Sequence, residues 1–313
     1  MTAAVRLTLA LLAVWRARGA TERPIIAIAA HPAASSAPAC GGSCEQVVAS
    51  YVKWVEAAGG RAVALGYAWN DSRTDALLAQ VNGVLLPGGG GPPGRSAYRA
   101  VATSLALAAR GEALPVWGTC LGFEWLLEIV GGVALDAGFD AHNLSLPLAL
   151  EPAAESSRML GGDANAALRD ALASEPITFN SHQAGLAPDE FAASAALRGN
   201  FTVLSTNADR GGRPFVSTME HADASVPIFG TQWHPEKAQF EWGANADGTP
   251  FEAIPHAPSA IAASQHLANL FVASARASTH AFATPEAEQA ALFYNFAPTS
   301  TTPEFEQTYF LHL

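Results

Sequence analysis

The chain has 313 residues, half of them hydrophobic, which is enough for a sizeable core in one large or two ordinary domains and excludes a disordered chain. Its net charge is −11 with only 17 Lys plus Arg, and no basic block occurs anywhere. That balance argues against nucleic acid or an anionic membrane surface as a partner.

Residues 1–20, "MTAAVRLTLALLAVWRARGA", carry an early Arg, an apolar run from Leu7 to Trp15 and small residues at Gly19 and Ala20. The pattern predicts a secretory signal peptide, and the run is too short to span a bilayer. No other segment approaches that apolar length, so no membrane partner is expected. Three N-x-S/T triplets point to the same compartment and make Asn70, Asn143 and Asn200 glycosylation candidates. The expected location is the secretory pathway, either outside the cell or in a lysosome or vacuole.

The cysteines are Cys40, Cys44 and Cys120. Cys40 and Cys44 are near enough to bridge each other, and a zinc site there lacks two further ligands at the right spacing. In an oxidising compartment that pairing leaves Cys120 as the unpaired thiol.

Short apolar runs at 24–30, 62–67, 83–89 and 115–120 read as buried strands. Helical spacing predicts helices over 44–58, with Val47, Val48, Tyr51, Val52 and Val55 on its core face, and over 98–110 and 121–130. Strands without polar alternation, separated by helices, indicate an α/β fold with a mostly parallel central sheet flanked by helices. The second half, with strand runs at 177–182, 201–207, 214–221 and 226–234, predicts an antiparallel extension returning to a last core strand. A helix near 256–276 precedes a tail whose Phe293, Tyr294, Phe296, Tyr309 and Phe310 are expected to pack back on the body. No repeat, linker or clear boundary divides residues 21–313, which read as one domain.

"PVWGTCLGFE" (115–124) places Cys120 between Gly118 and Gly122 where a strand turns into a helix. Small neighbours two residues away are what a nucleophile elbow needs, because the backbones crowd there. The N-terminus of the following helix is expected to favour the thiolate, and the N–H of Leu121 to hold an oxyanion. A nucleophile needs a base and the base an orienting group. "TQWHPEK" (231–237) supplies His234 and, two residues on, Glu236, which on extended chain project to the same side. Nucleophile, then His, then acid is not the α/β-hydrolase order.

"LPGGGGPPG" (86–94) formally satisfies G-x-G-x-x-G, but two prolines fill the variable positions and no helix opens directly there. Nor does Gly-Lys-Ser/Thr follow, so it is not a P-loop. A glycine-rich turn beside the elbow instead lets N–H groups such as those of Gly89 and Gly90 approach a substrate carbonyl.

Together, "PGGG", "WGTCLGFE" and "QWHPEK" resemble the γ-glutamyl hydrolase family, a branch of the flavodoxin-like class I glutamine-amidotransferase-like fold. "RPIIAIA" (23–29), "ASYVKWVEAAG" (49–59), "NGVLLPGGG" (82–90), "FVSTMEH" (215–221) and "LFYNFAP" (292–298) extend the resemblance from about Arg23 to the C-terminus. It implies Cys120 as nucleophile, His234 as general base and acid, Glu236 as orienting carboxylate, and His182 near the substrate. Glu124 stands where many ammonia-releasing amidotransferases carry Gln, which favours the hydrolase branch. "CGGSC" at 40–44 and the prolines after the glycine run depart from the family pattern.

The implied activity is hydrolysis of γ-glutamyl amide bonds of folyl-poly-γ-glutamates or other γ-glutamyl peptides through a thioester, without metal or cofactor. The partner is then a small-molecule substrate, and a homodimer stays open. Arg95 and Lys237 are candidates for its α-carboxylates by proximity to the motifs. The rivals are a glutaminase that feeds ammonia to a synthetase and a secreted binding protein on the same scaffold.

Overall fold

The computed structural model describes residues 20–34 and 44–313. Cys40 and all of the expected signal peptide except Ala20 lie outside the described residues. In chain order the strands are β1 (Ile25–Ala29), β2 (His31–Pro32), β3 (Glu45–Val48), β4 (Arg61–Leu65), β5 (Gly83–Leu86), β6 (Val116–Thr119) and β7 (Asp136–Leu146). They continue with β8 (Ala149–Leu150), β9 (Thr178–Gly185), β10 (Phe201–Ala208), β11 (Pro214–His221), β12 (Ile228–Thr231), β13 (Thr299–Thr301) and β14 (Phe305–Leu311). The first four helices are α1 (Ala49–Ala57), α2 (Asp71–Leu78), α3 (Arg95–Ala108) and α4 (Leu121–Gly131).

The central sheet has eight strands in the order β4-β1-β5-β6-β12-β11-β10-β8. Its first five strands run parallel, and β11, β10 and β8 continue it antiparallel. Each face is covered. Ile25, Ala27 and Ala29 pack into a core with Phe123 and Leu126 of α4. Ile26 and Ile28 pack on the other side with Trp54 of α1 and Phe271 of the helix Pro258–Ala275. Burial on both faces explains why these strands show no polar alternation in the sequence.

Register sets the site. Leu86 pairs with Gly118 between β5 and β6, and Thr119 pairs with Thr231 between β6 and β12. The carboxyl ends of three neighbouring strands are therefore level, and the residues that follow them share one edge. In open α/β sheets that edge is where ligands bind.

Two expectations need correction. The helix expected over 44–58 starts only at Ala49, because residues 45–48 form β3 and pair with β14 from the far end of the chain. β14 thereby joins β13, β3 and β2 in a second sheet of four strands. The run at 177–182 is a strand, β9, but it pairs with β7 in a separate two-stranded sheet instead of extending the central one. The aromatic tail docks unevenly: Phe293 is buried, whereas Tyr294 and Phe296 are exposed. Among the described residues no helix is long and apolar enough to cross a membrane.

Candidate active site

Cys120 follows β6 and forms the N-cap of α4 with φ 50° and ψ −107°, left-handed backbone that a non-glycine residue adopts only under constraint. The constraint is visible. Its N–H donates to Thr231 O at 2.8 Å, and its carbonyl accepts from Glu124 N–H at 2.9 Å. A Cβ at Gly118 would stand 2.6 Å from Gly122 O, and one at Gly122 only 1.9 Å from Leu86 O. Only glycine allows strand, elbow and helix to approach this closely.

His234 and Glu236 meet as their types suggested, though by another route. β12 ends at Thr231, and 232–236 is a turn rather than extended chain. That turn brings Glu236 Oε1 to 2.7 Å from His234 Nδ1. With Nδ1–H donated to the carboxylate, Nε2 is left as an acceptor. Both residues are buried.

Three side chains converge on Gly88, in the loop after β5. A methyl group there would lie 2.7 Å from His234 Cε1, 2.7 Å from the Tyr51 hydroxyl and 3.4 Å from Cys120 Cβ. Cys120 lines two cavities, of about 640 Å³ and 540 Å³. Gly89, Gly90, Leu121, Glu124 and His182 line the first, and His234, Glu236 and Lys237 the second. Arg95 lines neither; it is exposed and pairs with Asp71 at 2.8 Å. Lys237 is buried and paired with Glu252.

The electrostatics differ from the expectation of a favoured thiolate. Burial pushes the Cys120 thiol well up, and Glu124 and Glu236 push it further. The Leu121 N–H and Lys237 pull the other way and do not prevail. At rest the Cys120 sulfur is therefore a thiol, and a nucleophilic role for it needs a base. His182 donates Nδ1–H to Ala184 O at 2.7 Å, and burial lowers its pKa to about 4. It is therefore a neutral imidazole whose buried Nε2 has no partner among the described residues. Burial raises Glu124 to about 7, while Gln232 Nε2 donates to its Oε1 at 2.9 Å.

Sequence reasoning placed Tyr51 only on the core face of its helix. In the structure its hydroxyl accepts from Gly88 N–H at 2.7 Å and lies 3.5 Å from His234 Nδ1. Burial first, then the Glu236 charge, holds it far above the usual phenol range, so it stays protonated. It links the glycine loop to the His234–Glu236 pair.

The three sequons lie at residues with local roles. Asn70 caps α2 through Arg73 N–H at 2.9 Å, Asn143 Oδ1 accepts from Ala253 N–H at 2.6 Å, and Asn200 Nδ2 donates to Ala196 O at 2.8 Å. Cys44 is disulfide-bonded, whereas Cys120 is free.

Residues 44–246 match the family model of class I glutamine amidotransferases. The γ-glutamyl hydrolase of Bos taurus is 40% identical over 270 residues, covering 84% of this chain and 82% of that one. That of Mus musculus is 38% identical over 296 residues, covering 92% and 90%. The chain belongs to the γ-glutamyl hydrolase family. A more distant relative, γ-glutamyl hydrolase B of Dictyostelium discoideum, is 34% identical over 91% of this chain and 82% of its own.

Within this member of the γ-glutamyl hydrolase family, two residues carry predictions that the geometry sets. Tyr51→Phe removes the acceptor of a part-buried N–H and the link to Glu236. Turnover is expected to fall about tenfold with KM nearly unchanged, and stability by about 1–2 kcal/mol. Steady-state kinetics and urea unfolding check both; an unchanged kcat contradicts the linking role.

For Glu124 the folded carboxyl sits near 7 against 4.5 for the free group. The folded state therefore binds the extra proton between those values. The resulting stabilisation is full below the unfolded pKa and is lost as pH rises through the folded one. Glu124→Gln keeps the acceptor for Gln232 and removes the titration. Between about pH 4 and about pH 8, the variant is expected to gain about 3 kcal/mol relative to the parent. Unfolding midpoints across that range test this, and a constant gap contradicts it.

Proposed function

We propose that the protein hydrolyses γ-glutamyl amide bonds of (folyl)poly-γ-glutamates through a thioester on Cys120. The observation that carries the reading is the convergence of Cys120, His234 and Tyr51 on Gly88, with Glu236 bonded to the imidazole, in a chain of this family. In this reading the Cys120 sulfur attacks the γ-carbonyl carbon as its proton passes to His234 Nε2. Glu236 holds the tautomer and offsets the imidazolium charge. The oxyanion is received by the N–H of Leu121, which points at the Cys120 sulfur, and by that of Gly89. The C–N bond then breaks, the His234 proton goes to the departing amine, and the acyl group stays on sulfur. A water gives a proton to His234 and attacks the thioester, releasing the γ-carboxylate and restoring the thiol.

Glu124 and the unpartnered His182 Nε2 supply acceptors for substrate N–H groups on the side of the larger cavity. Residues 21–313 act as one catalytic unit in the secretory pathway, a placement supported by the N-terminal pattern and by the oxidised state of Cys44. Incubation with γ-linked diglutamate and, separately, with free glutamine tests the substrate. Glutamate release from the γ-linked substrate supports the hydrolase. Ammonia from glutamine alone supports a glutaminase, and no product from either leaves a binding protein.

A further inference from the structure

The cleft around Cys120 is poor in cations. Glu124 and Glu128 line the larger cavity, and Glu236, Glu252 and Glu304 the smaller. Lys237 is the one Lys or Arg among the described lining residues, and Glu252 already pairs with it. A γ-linked glutamyl chain nevertheless brings an α-carboxylate with every residue. An anion entering such a cleft needs a donor, and preferably a positive one.

His142 stands where that donor is needed. Like Cys120 it lines both cavities, so it lies at the junction through which a chain over the sulfur must pass. Its ring is exposed, and its Nδ1 is 2.9 Å from Ser181 Oγ. The carbonyl of the same Ser181 is 4.0 Å from Cys120 Sγ. The backbone is fixed as well. β7 and β9 pair Ala141 with His182, and the His142 carbonyl accepts from Arg210 Nη1 at 2.8 Å. Among the described residues nothing hydrogen-bonds its Nε2. In the tautomer whose Nδ1 accepts from the Ser181 hydroxyl, the neutral ring carries its proton on Nε2 and presents it to the cavities.

We propose that His142, braced by Ser181, is a specificity-determining residue whose Nε2–H receives an α-carboxylate of the γ-glutamyl chain. The proposal rests on the reading of the substrate as a γ-linked glutamyl chain. The groups facing this junction are Ser181 from β9, Arg210 paired with Asp140 of β7, and Lys237, Glu252 and Glu304 across the smaller cavity.

The test measures binding of tri-γ-glutamate to the Cys120→Ala protein by calorimetry, with and without His142→Ala. The substitution is expected to weaken binding about tenfold. The same chain with its α-carboxylates converted to carboxamides should be insensitive to the substitution. His142→Lys, which keeps a donor, should restore tight binding. Equal affinities of the two proteins, or an equal loss for the carboxamide chain, overturn the proposal. Turnover of the same chain by the unsubstituted protein is followed separately. Binding that depends on His142 without cleavage retires the hydrolase reading alone, and cleavage without that dependence retires this one alone.

Discussion

Cys120→Ala is expected to lower the cleavage of γ-linked diglutamate by at least about 10³-fold while leaving the fold in place. The size of the loss follows from the geometry. Among the described residues lining both cavities, Cys120 and Ser181 carry the thiol and the hydroxyl, and in the proposed mechanism it is the Cys120 sulfur that forms the acyl intermediate with His234 as its base. Ser181 faces the exposed His142 and has no carboxylate to orient that imidazole. Retention of the fold follows because alanine keeps the Cβ, and with it the left-handed backbone held by Thr231 O and Glu124 N–H. Initial rates and thermal unfolding of the two proteins check both halves. Activity within about tenfold of the parent removes the sulfur from the mechanism.

The second large effect is expected at Gly122. An alanine Cβ there would lie 1.9 Å from Leu86 O and 2.5 Å from Leu86 C, both backbone atoms of β5 in the middle of the parallel sheet. A flexible side chain could swing aside from such a clash, but a paired central strand cannot. α4 must then lift off the sheet, carrying the elbow with it. The expected cost is on the order of 3–5 kcal/mol in stability. Activity should fall at least about a hundredfold, because an ångström of misplacement at the nucleophile is that expensive. Gly199→Ala, in the surface helix Ala195–Asn200, is the control, since an added Cβ there meets nothing within 4 Å. Equal urea midpoints for Gly122→Ala and the parent contradict the account of the elbow.

What the sequence made legible is what local pattern encodes. β1, β4, β5 and β6 announce themselves because strands buried on both faces are short continuous apolar runs. The elbow announces itself because close approach of two backbones demands glycine at both 118 and 122. The pairing of His234 with Glu236 was legible in residue type but not in geometry, since a turn and not strand alternation joins them. Features set by distant contacts were hidden. Val47 and Val48 share the helical apolar spacing of Tyr51, Val52 and Val55, and residues 45–48 become a strand only because β14, some 260 residues later, pairs with them. β7, with Asp, Gly, His and Asn in its sequence, gives no strand pattern and is defined by β9. Tyr51 looked like core because its partner, Gly88, reaches it only in the fold. The charge state of Cys120 is hidden for a related reason. The helix N-terminus is visible in the sequence, whereas burial and the placement of Glu124 and Glu236, which outweigh it, are not.

The most direct test of the central claim is covalent. Tri-γ-glutamate is mixed with the protein, turnover is quenched in acid within the first cycles, and intact mass and peptide mapping locate any acyl group. The account predicts a hydroxylamine-labile γ-glutamyl adduct on the peptide that carries Cys120, absent from Cys120→Ala. An adduct on another residue, or undiminished turnover by Cys120→Ala, would contradict it.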